Sequence, residues 1–97
     1  MRVVFMGTPA FAVPTLEALV PRHDVRLVVT QPDAPSGRGN ALRPSDVKAA
    51  AVRLGLEVHQ PVVLKGEAIE PIRSAEPDVI CVAAFGMLLP PEVLVIP

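Results

Sequence analysis

Hydrophobic residues are spaced along this chain in two alternating rhythms. Four runs are almost continuously apolar: "VVFM" (Val3–Met6), "VRLVVT" (Val25–Thr30), the weaker "LEVHQ" (Leu56–Gln60) and "DVICVAA" (Asp78–Ala84). Their β-branched character suits strands buried on both faces, as in a parallel sheet. Between them the apolar positions recur with helical spacing. Pro14 fits a first helical turn, where its missing N–H costs little, and Leu16, Leu19 and Val20 then share a face. Ser45 is a good N-cap. Val47, Ala50, Ala51 and Leu54 follow it at i, i+3, i+4 and i+7, and Gly55 supplies a left-handed stop. A third helical stretch, around residues 66–75, is interrupted by Pro71, so it either kinks or starts afresh near that proline.

The order β-α-β-α-β-α-β predicts a Rossmann-like α/β fold: a mostly parallel sheet, right-handed crossovers and helices on both faces. Ligands of such sheets sit beyond the carboxyl ends of the strands, at the switch point of the strand order. That rule selects three segments. They are the turn after the first strand (residues 7–12), the opening of "QPDAPSGRGNALRPSDVK" (Gln31–Lys48) after the second, and "AAFGMLLPP" after the fourth.

Composition narrows the picture only a little. Ninety-seven residues make one small domain or part of a larger one, and a hydrophobic share of 51% is enough to form a core. The net charge of -1 gives no global reason to expect nucleic acid, so such a contact needs a local patch. Seven arginines against Lys48 and Lys65 suit phosphate contacts, but a coding bias yields the same excess. Cys81 has no partner for an intrachain disulfide and reads as a core thiol; no metal site is expected. The N-terminal apolar run is too short for a signal peptide, and nothing approaches 18 consecutive apolar residues. The expectation is a soluble cytoplasmic protein. The chain stops at "PPEVLVIP", directly after an apolar run, which reads as a domain cut short.

Each segment has a bland reading beside its chemical one. "GTPAFA" stands where a dinucleotide-binding protein places G-x-G-x-x-G, yet Pro9 replaces the middle glycine and Ala12 the last. Gly7 therefore reads as a tight strand-to-helix turn, with the Thr8 hydroxyl available to a ligand. In "AAFGMLLPP", Phe85, Met87, Leu88 and Leu89 with Gly86 can form a slot for a flat heteroaromatic ring. Equally, they can pack against later chain, while Pro90 and Pro91 end the segment rigidly. In the long loop, Gly37 and Gly39 leave Arg38 free to reach outward. Arg43 and Lys48 add charge, Asp33 and Asp46 offset it, and the helix start at Ser45–Asp46 can offer N–H groups to a phosphate. The loop has no aromatic residue for base stacking, so contact with a phosphate backbone is favoured over base reading. A solvated loop, mobile without a ligand, is the bland alternative.

Together these segments resemble the N-terminal part of the methionyl-tRNA formyltransferase family. The residues that carry the likeness are "VVFMGTPAFAVPTLEAL", "VVTQPDAPSGRGNALRPSDVK" and "PDVICVAAFGMLLPPEVLVIP", which span nearly the whole chain, with residues 60–74 least distinctive. The combination of G-T-P-x-F-A with Q-P-D-x-P-x-G-R-G is specific; other folate-dependent formyltransferases share the fold and the apolar loop but not the arginine loop. Asp46 departs from the family, where proline is common. The resemblance implies transfer of a formyl group from 10-formyltetrahydrofolate, as co-substrate, to the amino group of initiator methionyl-tRNA in translation initiation. It implies Phe85, Gly86, Met87, Leu88 and Leu89 at the pterin, the 31–48 loop with Gly37, Arg38, Gly39 and Arg43 at the tRNA acceptor end, and Gly7 and Thr8 in the substrate crevice.

By the same resemblance, residues 1–97 are the N-terminal portion of a formyltransferase catalytic domain. Its catalytic Asn, His and Asp, its S-L-L-P folate segment and a C-terminal tRNA-binding barrel are all expected beyond Pro97. The segment alone is then inactive, and the full-length enzyme is expected to be a monomer. His23 and His59 read as structural. Two other readings stand beside this one: a folate-dependent formyltransferase with a sugar nucleotide or glycinamide ribonucleotide as acceptor, and a non-catalytic Rossmann-like binding module.

Overall fold

A computed structural model describes residues 1–35 and 41–96 of the chain. In chain order the described strands and helices are β1 (Arg2–Gly7), α1 (Val13–Leu19), β2 (Asp24–Val29), β3 (Ala34–Pro35), β4 (Leu42–Arg43), α2 (Asp46–Arg53), β5 (Val58–His59), α3 (Glu70–Ser74), β6 (Val79–Ala83) and α4 (Pro91–Leu94). Short 3-10 turns at Ala10–Ala12 and Gly66–Ile69 lead into α1 and α3. Four strands pair in the order β5-β2-β1-β6, and every pairing is parallel. The predicted Rossmann-like α/β sheet is therefore present, and its order reverses at β1, which lies between β2 and β6.

Two apolar layers cover the sheet. On one face Val4, Met6, Leu27 and Val29 pack with Ile69, Ile72, Phe85 and Val93 beneath α3 and α4. On the other, Val3, Phe5, Val25 and Val28 pack with Leu16, Val47, Ala50 and Ala51 of α1 and α2. Alternation along β1 sends its side chains to both layers. Along β2 the alternation is broken once. Val3 pairs with Val25 and Val4 with Leu27, so Arg26 is an extra residue. This bulge puts Val25 and Leu27 on opposite faces despite their spacing of two.

The second helix forms as its spacing predicts. The Ser45 hydroxyl accepts from the Lys48 N–H at 3.0 Å, and the C-terminus closes with Gly55 N–H to Val52 O at 3.1 Å and Leu56 N–H to Ala51 O at 2.9 Å. The doubtful third helix does start afresh beside Pro71, in its first turn, after the 3-10 turn has carried the chain there. Pro90 and Pro91 do not simply end their segment: Pro91 opens α4, where a proline lacks nothing that a first-turn residue needs. The third strand is shorter than expected because Leu56 is drawn into the cap of α2, leaving Val58–His59 to pair. Cys81 is half-buried and packs on the α1/α2 layer. Among the described residues no helix is long and apolar enough to cross a membrane.

Candidate functional site at the carboxyl edge of the sheet

The switch point brings the exits of β1 and β6 side by side. Gly7 ends β1 opposite Ala83, the last residue of β6. A Cβ at Gly7 would lie 2.8 Å from Ala83 O and 2.9 Å from the Phe5 ring, so only glycine lets the two strands close. The need at Gly7 is thus for space beside β6, and the turn expected there begins one residue later, at Thr8. Ala84 follows β6 with φ 54, a left-handed angle that costs an L-residue energy, and Gly86 takes φ 90. Backbone strain of this kind clusters where a loop must present itself to a ligand.

Thr8 joins the two exits. Its hydroxyl donates to Phe85 O at 2.7 Å, and the side-chain amide of Gln31, just past β2, donates to the same oxygen at 3.2 Å. Below this point Phe85 departs from expectation. Its side chain is 2% exposed and fills the α3/α4 layer, so it serves as core and only its carbonyl faces the edge. The ring-slot reading passes to its neighbours. Met87, Leu88 and Leu89, with Pro90 and Pro91, face Val62–Lys65 across an apolar groove of about 610 Å³. Leu88 is 94% exposed, which no packing within the described residues explains.

On the other side of Thr8 lies a more polar cleft of about 450 Å³. Thr8, Pro9, Gln31, Arg43, Ser45 and Asp46 are among its walls. Arg43 belongs to an antiparallel ribbon that the sequence did not announce: Ala34 pairs with Arg43 and Pro35 with Leu42. Two residues on each side are too few to show a strand period. Arg43 is exposed and Leu42 is not buried, so the ribbon stands out from the sheet. Gly37, Arg38 and Gly39, expected at the tRNA acceptor end, lie outside the described residues.

The offset of Lys48 by Asp33 is made by a direct ion pair. Lys48 does not stand free for a phosphate, because its Nζ donates to both Asp33 oxygens, at 3.1 and 3.3 Å. Gln60 adds a bond of 2.8 Å to Asp33 Oδ1 and one of 3.2 Å to Gln31 O. The Gln60 amide and the Lys48 ammonium hold the Asp33 carboxyl below its usual range. Together they clasp the base of the ribbon to α2 and to the segment after β5. The start of α2 is largely occupied too. The Val47 N–H donates to Thr8 O at 3.3 Å, Ser45 takes the Lys48 N–H, and Asp46 puts a carboxylate beside the remaining first-turn donor. The first turn of α2 thus has little to offer a phosphate, whereas Arg43 on the ribbon is exposed.

Neither histidine points to chemistry. His59 bonds Ala68 O at 2.7 Å through Nε2, and His23 sits in the turn before β2, half-buried. No group of three or more His, Cys, Asp or Glu side chains comes together among the described residues. Gln31 and Gln60 are the residues whose part in the edge sequence reasoning missed. Their signal was faint: two glutamines, each the residue that follows or closes a strand run and precedes a proline.

Residues 1–97 match the formyl transferase family. The chain is 53% identical over 98 residues to a protein named methionyl-tRNA formyltransferase from Xylella fastidiosa, an alignment covering 100% of this chain and 32% of that protein. It is 52% identical over 99 residues to one of the same name from Clostridium acetobutylicum, again with 100% and 32% covered. To one from Heliobacterium modesticaldum it is 54% identical over 95 residues, covering 97% and 30%. The chain thus spans about a third of the length of these curated relatives.

Proposed function

The chain belongs to the formyl transferase family, and from that premise we propose that it carries the substrate edge of an enzyme that formylates methionyl-tRNA. The donor is 10-formyltetrahydrofolate. The methionyl amine of initiator tRNA attacks the formyl carbon, the bond from that carbon to N10 breaks, and the amine's proton is returned to N10. The product is formyl-methionyl-tRNA for translation initiation, made in the cytoplasm.

One observation carries the reading. Thr8 and Gln31, two walls of the polar cleft, both bond the carbonyl of Phe85, and Met87, two residues on, begins the apolar groove. Two substrates of opposite character can be brought together across such a junction. The groove, with Met87, Leu88 and Leu89, suits the flat pterin ring of the donor, and the Gly86 backbone passes beside it. The exposed Arg43 of the ribbon, together with Arg38 between its two glycines in the sequence, suits the phosphate backbone of the acceptor end. Gly7 and Thr8, with Thr8 in the cleft wall and bonded to Phe85 O, suit the crevice where the methionyl end would meet the formyl group.

The proton transfers and the stabilisation of the tetrahedral oxyanion fall to groups outside this chain. An Asn–His–Asp set beyond Pro97 would supply them. The segment 1–97 alone therefore gives no formyl-methionyl-tRNA.

An acceptor panel tests the reading. The full-length protein is supplied with 10-formyltetrahydrofolate and, in turn, methionyl-tRNA, a sugar nucleotide amine and glycinamide ribonucleotide. Formylation of methionyl-tRNA alone is the expected result. Transfer to either small acceptor, with none to tRNA, would overturn it.

A further inference from the structure

We propose that Gln31 is a positioning residue that sets the donor-side loop from the acceptor side of the edge; this rests on the reading above. Gln31 is fixed at both ends. Its backbone carbonyl accepts from Gln60 Nε2 at 3.2 Å, and its side-chain amide donates to Phe85 O at 3.2 Å. Pro32, immediately after it, restricts its backbone to extended angles.

The partner loop is shaped around this amide. Gly86 takes φ 90, and a Cβ built there would collide with Gln31 Nε2. Among the described glycines the approach is closest here; at Gly7 a Cβ would meet Ala83 O at 2.8 Å and the Phe5 ring at 2.9 Å, and Gly55 and Gly66 have nothing within 4 Å. Glycine at 86 therefore answers two demands at once, a left-handed backbone and room for the Gln31 amide. From the far side the Thr8 hydroxyl takes the same Phe85 oxygen at 2.7 Å.

The consequence follows from peptide planarity. With its oxygen held by two donors from two different loops, the Phe85 carbonyl cannot swing without losing both bonds. Because the peptide is planar, a fixed C=O also fixes the Gly86 N–H and the direction in which the chain leaves toward Met87. Gln31 does this while lining the polar cleft, so it touches the acceptor side and orients the donor side. Its part is to hold a wall in place, without contact with the pterin itself.

The test uses the full-length protein and 5-formyltetrahydrofolate as a binding probe. Gln31→Leu removes the donor at similar volume, and Gln31→Glu sets a carboxylate against the Phe85 carbonyl. Each is expected to weaken binding of the probe by about two- to tenfold, the range spanned by one hydrogen bond. Gly86→Ala should weaken the probe in the wild-type background and do so distinctly less in a Gln31→Ala background, where the obstructing amide is gone. Unchanged probe affinity in folded Gln31→Glu protein would overturn the inference, as would strictly additive losses for Gly86→Ala and Gln31→Ala. A wild-type protein that binds no folate overturns the functional reading and this inference with it. Wild-type binding with unaltered variants overturns this inference alone.

Discussion

The hydroxyl of Thr8 and the carbonyl of Phe85, 77 positions apart in the chain, are bonded at 2.7 Å across the switch point of the sheet. That one bond ties the turn after β1 to the loop after β6, and Thr8 makes it from the wall of the polar cleft. Thr8→Val keeps the shape and removes the donor. It is expected to cost about 0.5–1.5 kcal/mol of stability, whereas Thr8→Ser should stay close to wild type. Urea unfolding of the full-length protein measures the difference, and equal stabilities for the two variants would remove Thr8 from the account.

A second bond of this kind lies at the foot of α2. Ser45 caps the helix through Lys48 N–H, and its hydroxyl is also 2.6 Å from the hydroxyl of Thr30, which is fully buried. Ser45→Ala thus removes a cap and strands a buried hydroxyl. The expected loss is about 2–3 kcal/mol, from roughly 1 for the cap and 1–2 for the orphaned group. Ser45→Thr should recover much of it. Faster hydrogen exchange at the first turn of α2 in the alanine variant would locate the damage.

The Asp33 clasp predicts a response to acid. Its carboxyl is held below the ordinary value first by the Gln60 amide and then by Lys48. A carboxyl lowered in the folded state contributes stability above its unfolded value of about 3.9, and the contribution is lost as pH falls through the lower folded value. Asp78, lowered by the Arg2 guanidinium and the Arg2 backbone N–H, follows the same sign at the opposite end of β1. Carbon NMR of the carboxyl groups should find Asp33 titrating below an unperturbed aspartate. Lys48→Met and Gln60→Leu should each bring it back up, and an Asp33 unmoved by either would contradict the clasp.

The layers of the fold were legible because burial writes itself into apolar spacing. Val3 to Met6 and the 47, 50, 51, 54 stripe of α2 each follow from one period, and both lie where that period puts them. Features set by contacts between distant segments were not legible. The Arg26 bulge leaves no mark in a run that is apolar on both sides of it. The need for glycine at position 7 comes from a carbonyl 76 residues away, at Ala83. Phe85 looked like a slot wall because it stands in an apolar loop, and only the turn at Ala84 decides that its ring goes to the core. That Asp33 would offset the loop's charge was legible, but its direct pairing with Lys48, fifteen positions later and across the ribbon, was not.

The central claim divides the edge between two substrates, the arginine ribbon for the acceptor and the apolar groove for the donor. Steady-state kinetics of Arg38→Ala and Arg43→Ala in the full-length protein test that division most directly, with methionyl-tRNA and 10-formyltetrahydrofolate varied in turn. Loss of an arginine-to-phosphate contact should raise the KM for methionyl-tRNA about tenfold, equivalent to about 1.4 kcal/mol, and leave that for the folate donor within about twofold. An unchanged KM for tRNA in both variants, or a rise confined to the folate donor, would contradict it.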